Sequence, residues 1–136
     1  MTETVWVAPN EEGHEAERRE QKLVIAYQQH LEARGVSAGR LKIVPPGEHK
    51  PLFSDLYSAE LDLLVEAKGT GTRGAVRMAI GQLADYRRFV DPTPTCAVLV
   101  PGEPRPDLRA LLDAEGVAAI WQDGSGFADT RDGSFA

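Results

Sequence analysis

With 136 residues, 42% of them hydrophobic and 26% charged, the chain has the size and composition of one globular domain with a single modest core. No apolar run approaches the roughly 20 residues that cross a bilayer, "MTETVWVAPNEEG" lacks the basic start and apolar block of a signal peptide, and the lone Cys96 can make no internal disulfide, so a cytoplasmic protein with no membrane partner is expected. The net charge of −6 disfavours nucleic acid as a partner but does not exclude it, because residues 34–88 carry nine basic against six acidic groups and screening over roughly 8–10 Å lets a local basic stripe act alone.

The first periodic segment, "EEGHEAERREQKLVIAYQQHLEARG", predicts a long helix stopped by Gly35. At 100° per residue, Ala16, Leu23, Val24, Tyr27 and Leu31 fall within about 60° of Glu20, which places this acid at the centre of the apolar face. "RLKIVPPG" then predicts a short strand ended by Pro45 and Pro46. "PLFSDLY" and "LDLLVEAKG" predict two more strands, joined by a tight turn at "SAE".

A second helix is expected from about Thr72 to Val90, with Val76, Ala79, Ile80 and Leu83 on one face. "TCAVLVPG" reads as a buried strand, "RPDLRALLDAEG" as an amphipathic helix and "VAAIWQ" as a last strand. Residues 1–10 and the polar, glycine-rich 123–136 are expected to be peripheral and loosely held. Consecutive strands joined by tight turns pair antiparallel, and strands separated by a helix lie parallel, so the expected fold is α/β, a single domain over residues 1–136 with a mixed central sheet flanked by helices.

Gly69, Gly71 and Gly74 spell G-x-G-x-x-G between a strand and a helix, the place of a dinucleotide-binding loop. The context for that reading is missing: the strand before the loop ends in charged residues, Glu66 and Lys68, and "CAVLVPG" carries no acid to hold a ribose. No nucleotide cofactor is expected. The charges are the more informative feature. Alternation puts Asp62, Leu64, Glu66 and Lys68 on one face, and a hairpin centred between Glu60 and Leu61 sets Asp55 opposite Glu66, with β-carbons about 4.5–5.5 Å apart. Two carboxylates at that spacing repel unless a cation joins them, and Mg²⁺, which commonly takes one or two carboxylates, meets the need.

"FSDLYSAELDLLVEAKGT" resembles the active-site hairpin of the PD-(D/E)XK nuclease superfamily. The resemblance implies that Asp55, Glu66 and the carbonyl of Ala67 bind Mg²⁺ or Mn²⁺ and that Lys68 positions or activates water. One departure stands out: Ser54 occupies the place beside the aspartate where the family usually has proline, and Pro51 lies three positions earlier. Gln82 and Tyr86 form the Q-x-x-x-Y element of the RecB-like and lambda-exonuclease-like branch, and Glu20 stands where the first helix of many such nucleases offers a further acid to the metal. The fold implied is the restriction-endonuclease-like αβββαβ core, with an extra helix and strand at the carboxyl terminus. The activity implied is metal-dependent hydrolysis of DNA in restriction, other defence or repair.

A single site of this kind cuts one strand, so cutting both requires a homodimer, a larger assembly or two successive events. A glycine-rich loop feeding a helix amino terminus presents N–H groups to phosphate, which makes Gly69, Gly71, Arg73 and Arg77 candidate nucleic-acid contacts, with Arg87 and Arg88 further along. Simpler readings stand beside these. Asp55, Glu66 and Lys68 could be a surface ion-pair ladder, Gln82 and Tyr86 helix packing, Glu20 a wet helix end, and the arginines a solvated face. A non-catalytic nucleic-acid-binding or assembly module that keeps the fold is the alternative function. His14, His30 and His49 show no metal-ligand spacing, and no covalent nucleophile arrangement stands out.

Overall fold

The computed structural model describes residues 11–136, so the expectation for residues 1–10 lies outside the described residues. The element order is α1 (Glu11–Ala33), β1 (Lys42–Ile43), β2 (Leu52–Phe53), β3 (Leu56–Ser58), β4 (Leu63–Ala67), α2 (Arg73–Tyr86), β5 (Thr95–Val100), α3 (Pro106–Ala114), β6 (Ala118–Asp123) and β7 (Gly126–Asp129). The main sheet runs β3-β4-β5-β6-β7, with β4, β5 and β6 parallel and both edge strands antiparallel. It is therefore a mixed five-stranded sheet, built as the turn and crossover lengths predict.

Period-two alternation divides the core into two layers. Leu63, Val65, Ala67, Ala97, Leu99, Ala118 and Ile120 bury against Leu23, Tyr27 and Leu31 of α1. Leu64, Cys96, Val98, Val100 and Ala119 bury against Val76, Ala79, Leu83 and Tyr86 of α2 and against Leu108 and Leu112 of α3. Thr72 caps α2, its hydroxyl accepting the Ala75 N–H.

Three expectations need correction. The "PLFSDLY" run is two strands, because Ser54 leaves the ladder: its N–H goes to the Leu41 carbonyl and its hydroxyl accepts the Leu41 N–H, so β2 pairs with β1 in a separate ribbon and only β3 joins the sheet. Four strands thus separate α1 from α2 where αβββαβ has three. The second helix ends at Tyr86 and passes into a 3-10 turn over Arg87–Phe89, short of Val90.

The third correction concerns residues 123–136, which are integral to the fold. β7 closes the sheet against β6, and Phe135 is buried in the α1 layer, where its carbonyl accepts the Tyr27 hydroxyl at 2.7 Å. The Asp129 carboxylate holds the turn beyond, accepting the N–H groups of Arg131, Gly133, Phe135 and Ala136 at 2.7–2.9 Å.

Candidate active site

β4 is buried on both faces, and its carboxyl end carries the charge that a buried strand should avoid: Glu66 is 2% exposed and Lys68 7%. The β3–β4 register pairs Leu56 with Val65, so one step further Asp55 stands opposite Glu66, as the hairpin reading requires. The two acids interlock through each other's strand. Glu66 Oε1 accepts the Asp55 N–H at 3.1 Å, and Asp55 Oδ2 accepts the Ala67 N–H at 2.8 Å.

Because Ser54 has left the ladder, the backbone at Asp55 is free to use a side chain as its acceptor. Each carboxylate spends one oxygen on this brace. Burial, followed by the adjoining Asp55 carboxyl, pushes the Glu66 carboxyl up to about 9, and Lys68 opposes the rise least of all. Lys68 forms no ion pair among the described residues. Glu66 is thus a buried acid lacking a sufficient counter-charge.

Tyr86 reaches the same place from α2. Its hydroxyl is raised by burial and then by the Glu66 charge, with Gln82 acting the other way and Asp85 and Asp55 adding to the rise, so the charges of the acid pair are felt at Tyr86. Gln82 Oε1 is buried without a hydrogen-bond partner among the described residues, an acceptor left open one turn before Tyr86.

Glu20 approaches from the opposite layer. It continues the buried stripe of Leu23, Tyr27 and Leu31 and lines a cleft of about 350 Å³ together with Glu17, Gln21, Arg40 and Asp55. Sequence reasoning missed Arg40, which nothing in the residues around it singles out, and Glu17, whose signal is its position one turn before Glu20.

The glycine loop divides. A β-carbon on Gly69 would lie 2.5 Å from the Ala16 carbonyl oxygen and 3.1 Å from Arg19 Cβ, so α1 rests directly on this residue and its glycine serves helix packing. Gly71 has open space around it and lines a cleft of about 580 Å³ with Thr70, Thr72, Arg73 and the 101–105 loop. Arg73 is engaged by Asp107 of α3, Arg77 is exposed, and Arg88 pairs with Asp85.

The side chains here that could hold a cation are the Asp55 and Glu66 carboxylates, and the resemblance adds the Ala67 carbonyl. No group of three or more histidine, cysteine or acidic side chains among the described residues converges to hold a metal. A half-exposed Asp55 beside a buried Glu66 fits Mg²⁺ or Mn²⁺ in donor type all the same, since such an ion keeps several waters, takes one or two carboxylates and completes its shell from a substrate phosphate. Comparisons of the chain with protein-family models, with curated proteins and with solved structures gave no match. No helix among the described residues is long and apolar enough to cross a membrane.

Proposed function

We propose that the chain is a divalent-metal-dependent nuclease that hydrolyses DNA phosphodiester bonds. The observation that carries this reading is the interlocked pair of half-exposed Asp55 and buried Glu66, set at the end where β4 and its parallel neighbour finish, which is where open α/β sheets bind ligands. The restriction-endonuclease-like fold belongs to the same proposal, supported by the mixed sheet and by the αβββαβ order once the break at Ser54 is counted as an interruption of one strand.

Asp55 and Glu66, with the Ala67 carbonyl, would hold Mg²⁺ or Mn²⁺. When bound, the ion supplies Lewis-acid neutralisation of the phosphoryl charge and a more acidic water. The remaining work falls to side chains. Lys68, shielded from bulk water and paired with no carboxylate among the described residues, orients the attacking water and balances charge as it builds. Tyr86 and Gln82 supply a hydroxyl and an open acceptor beside the pair, suited to positioning that water or a phosphate oxygen. Glu20 adds an acid at the rim of the Asp55 cleft.

One observation favours the alternative of a non-catalytic DNA-binding or assembly module: no three ligating side chains converge among the described residues. The deciding experiment incubates the purified chain with plasmid and oligonucleotide DNA in Mg²⁺, Mn²⁺ or EDTA, beside Asp55→Asn, Glu66→Gln and Lys68→Ala. The nuclease reading expects cleavage that needs the metal and disappears in each variant while the circular dichroism spectrum is kept. DNA retained but uncut under every divalent ion would establish the alternative.

A further inference from the structure

The ribbon β1–β2 ends two residues before Asp55, and its last residue, Phe53, is 40% exposed, an unusual place for a large aromatic side chain. The Arg40 guanidinium lies over its ring at 4.6 Å from the centroid, and Arg40 Nε donates to the Ser54 carbonyl at 3.1 Å, which ties the pair to the backbone that leads into the acid site. Arg40 also lines the cleft that holds Asp55, Glu17 and Glu20. Three carboxylates border that cleft, yet Arg40 pairs with none of the described residues. Its terminal N–H groups make no hydrogen bond among the described residues, and Arg40 is an exposed residue.

From this arrangement we propose that Phe53 and Arg40 form a shelf on which an unpaired nucleobase stacks, so that the substrate enters as a single strand or a frayed end. The proposal deepens the nuclease reading and rests on it for the identity of the chain's substrate. An aromatic ring capped by a guanidinium is a planar stack that extends readily by one base, and it tolerates any base because each has a π-face. In a duplex those faces are covered by neighbouring bases, so only an unpaired or flipped base can occupy the shelf. The terminal N–H groups of Arg40 can then take the adjoining phosphate. The cleft of about 350 Å³ on the other side of Arg40 is lined by Ile25, Glu17, Glu20 and Asp55 and does not include Phe53, so the stacked base sits on the ribbon outside it.

The test is fluorescence of a single-stranded oligonucleotide carrying one 2-aminopurine, titrated with the full chain in Ca²⁺ so that binding is read without turnover, for wild type, Phe53→Leu and Phe53→Trp. The shelf predicts quenching on binding, roughly tenfold weaker binding by Phe53→Leu, which keeps the apolar bulk and loses the ring, and retention by Phe53→Trp. Equal binding and quenching by Phe53→Leu and wild type would overturn it. Cleavage in Mg²⁺ is measured in parallel. Metal-dependent cutting with no Phe53 effect on binding defeats the shelf and leaves the nuclease reading standing, whereas ring-dependent quenching without cutting defeats the nuclease reading and leaves the shelf standing.

Discussion

Glu66 and Asp55 hold each other in place across β3 and β4: the carboxylate of the first takes the N–H of the second, and the carboxylate of the second takes the N–H of Ala67, one residue past the first. Two acids are thereby fixed side by side, and burial disfavours the charge on Glu66. The proposed metal site rests on this pair.

Glu66 sets a pH dependence whose sign can be worked out. Its carboxyl is raised from 4.5 to about 9 in the folded state, first by burial and then by Asp55. Between those values the folded chain keeps a proton that the unfolded chain releases, so stability is greatest below the unfolded pKa and declines as pH rises, by at most about 1.4 kcal/mol per pH unit. Glu66→Gln has no proton to lose there. Urea unfolding in EDTA at pH 5 and pH 8 should show the variant gaining on the wild type at the higher pH, and equal gaps at both would mean that Glu66 titrates normally.

Gly69→Ala tests the seat of α1. The added methyl meets the Ala16 carbonyl oxygen, a backbone atom that can yield only by moving the helix. A loss of about 1–3 kcal/mol is expected, together with slower cleavage, because the same helix carries Glu20 to the cleft. Thermal melts and initial rates check both, and an unchanged melting temperature would show that the helix tolerates the shift.

Gln82→Leu should separate function from folding. The open Oε1 makes no protein hydrogen bond among the described residues, so its removal should leave stability unchanged or slightly better, while cleavage falls roughly tenfold to a hundredfold. Denaturation midpoints and kcat measured together decide. A loss of stability would return Gln82 to a packing role.

Asp129→Ala should loosen the carboxyl-terminal clasp. Burial works against its ionised form, yet the backbone N–H groups of Phe135, Gly133, Arg131 and Ala136 prevail and hold the carboxyl below its usual range. Its contribution is therefore present above the unfolded pKa and lost as pH falls through the lower folded one. With the group partly exposed, about 1–2 kcal/mol is expected at neutral pH. Limited proteolysis should then cut near Phe135 in the variant, and resistance equal to wild type would show that the sheet alone holds the tail.

The acidic hairpin was legible because a short turn fixes strand register, and register alone sets Asp55 opposite Glu66. The span of α1 and the parallel strands β4 to β6 followed from periodicity and crossover length in the same way. What escaped was tertiary. Nothing local tells that the Ser54 hydroxyl will bind the backbone of Leu41 and split a strand, or that one carboxylate at Asp129 will order a glycine-rich tail. Gly69 looked like part of a phosphate loop because close helix approach leaves the same residue in the sequence as a tight turn does.

The most direct measurement is Mn²⁺ binding at pH 8, followed by the paramagnetic resonance of the free ion, for wild type, Asp55→Asn and Glu66→Gln. The acid pair predicts a site that wild type fills and that either substitution empties. Mn²⁺ taken up equally by all three proteins, or by none, would contradict it.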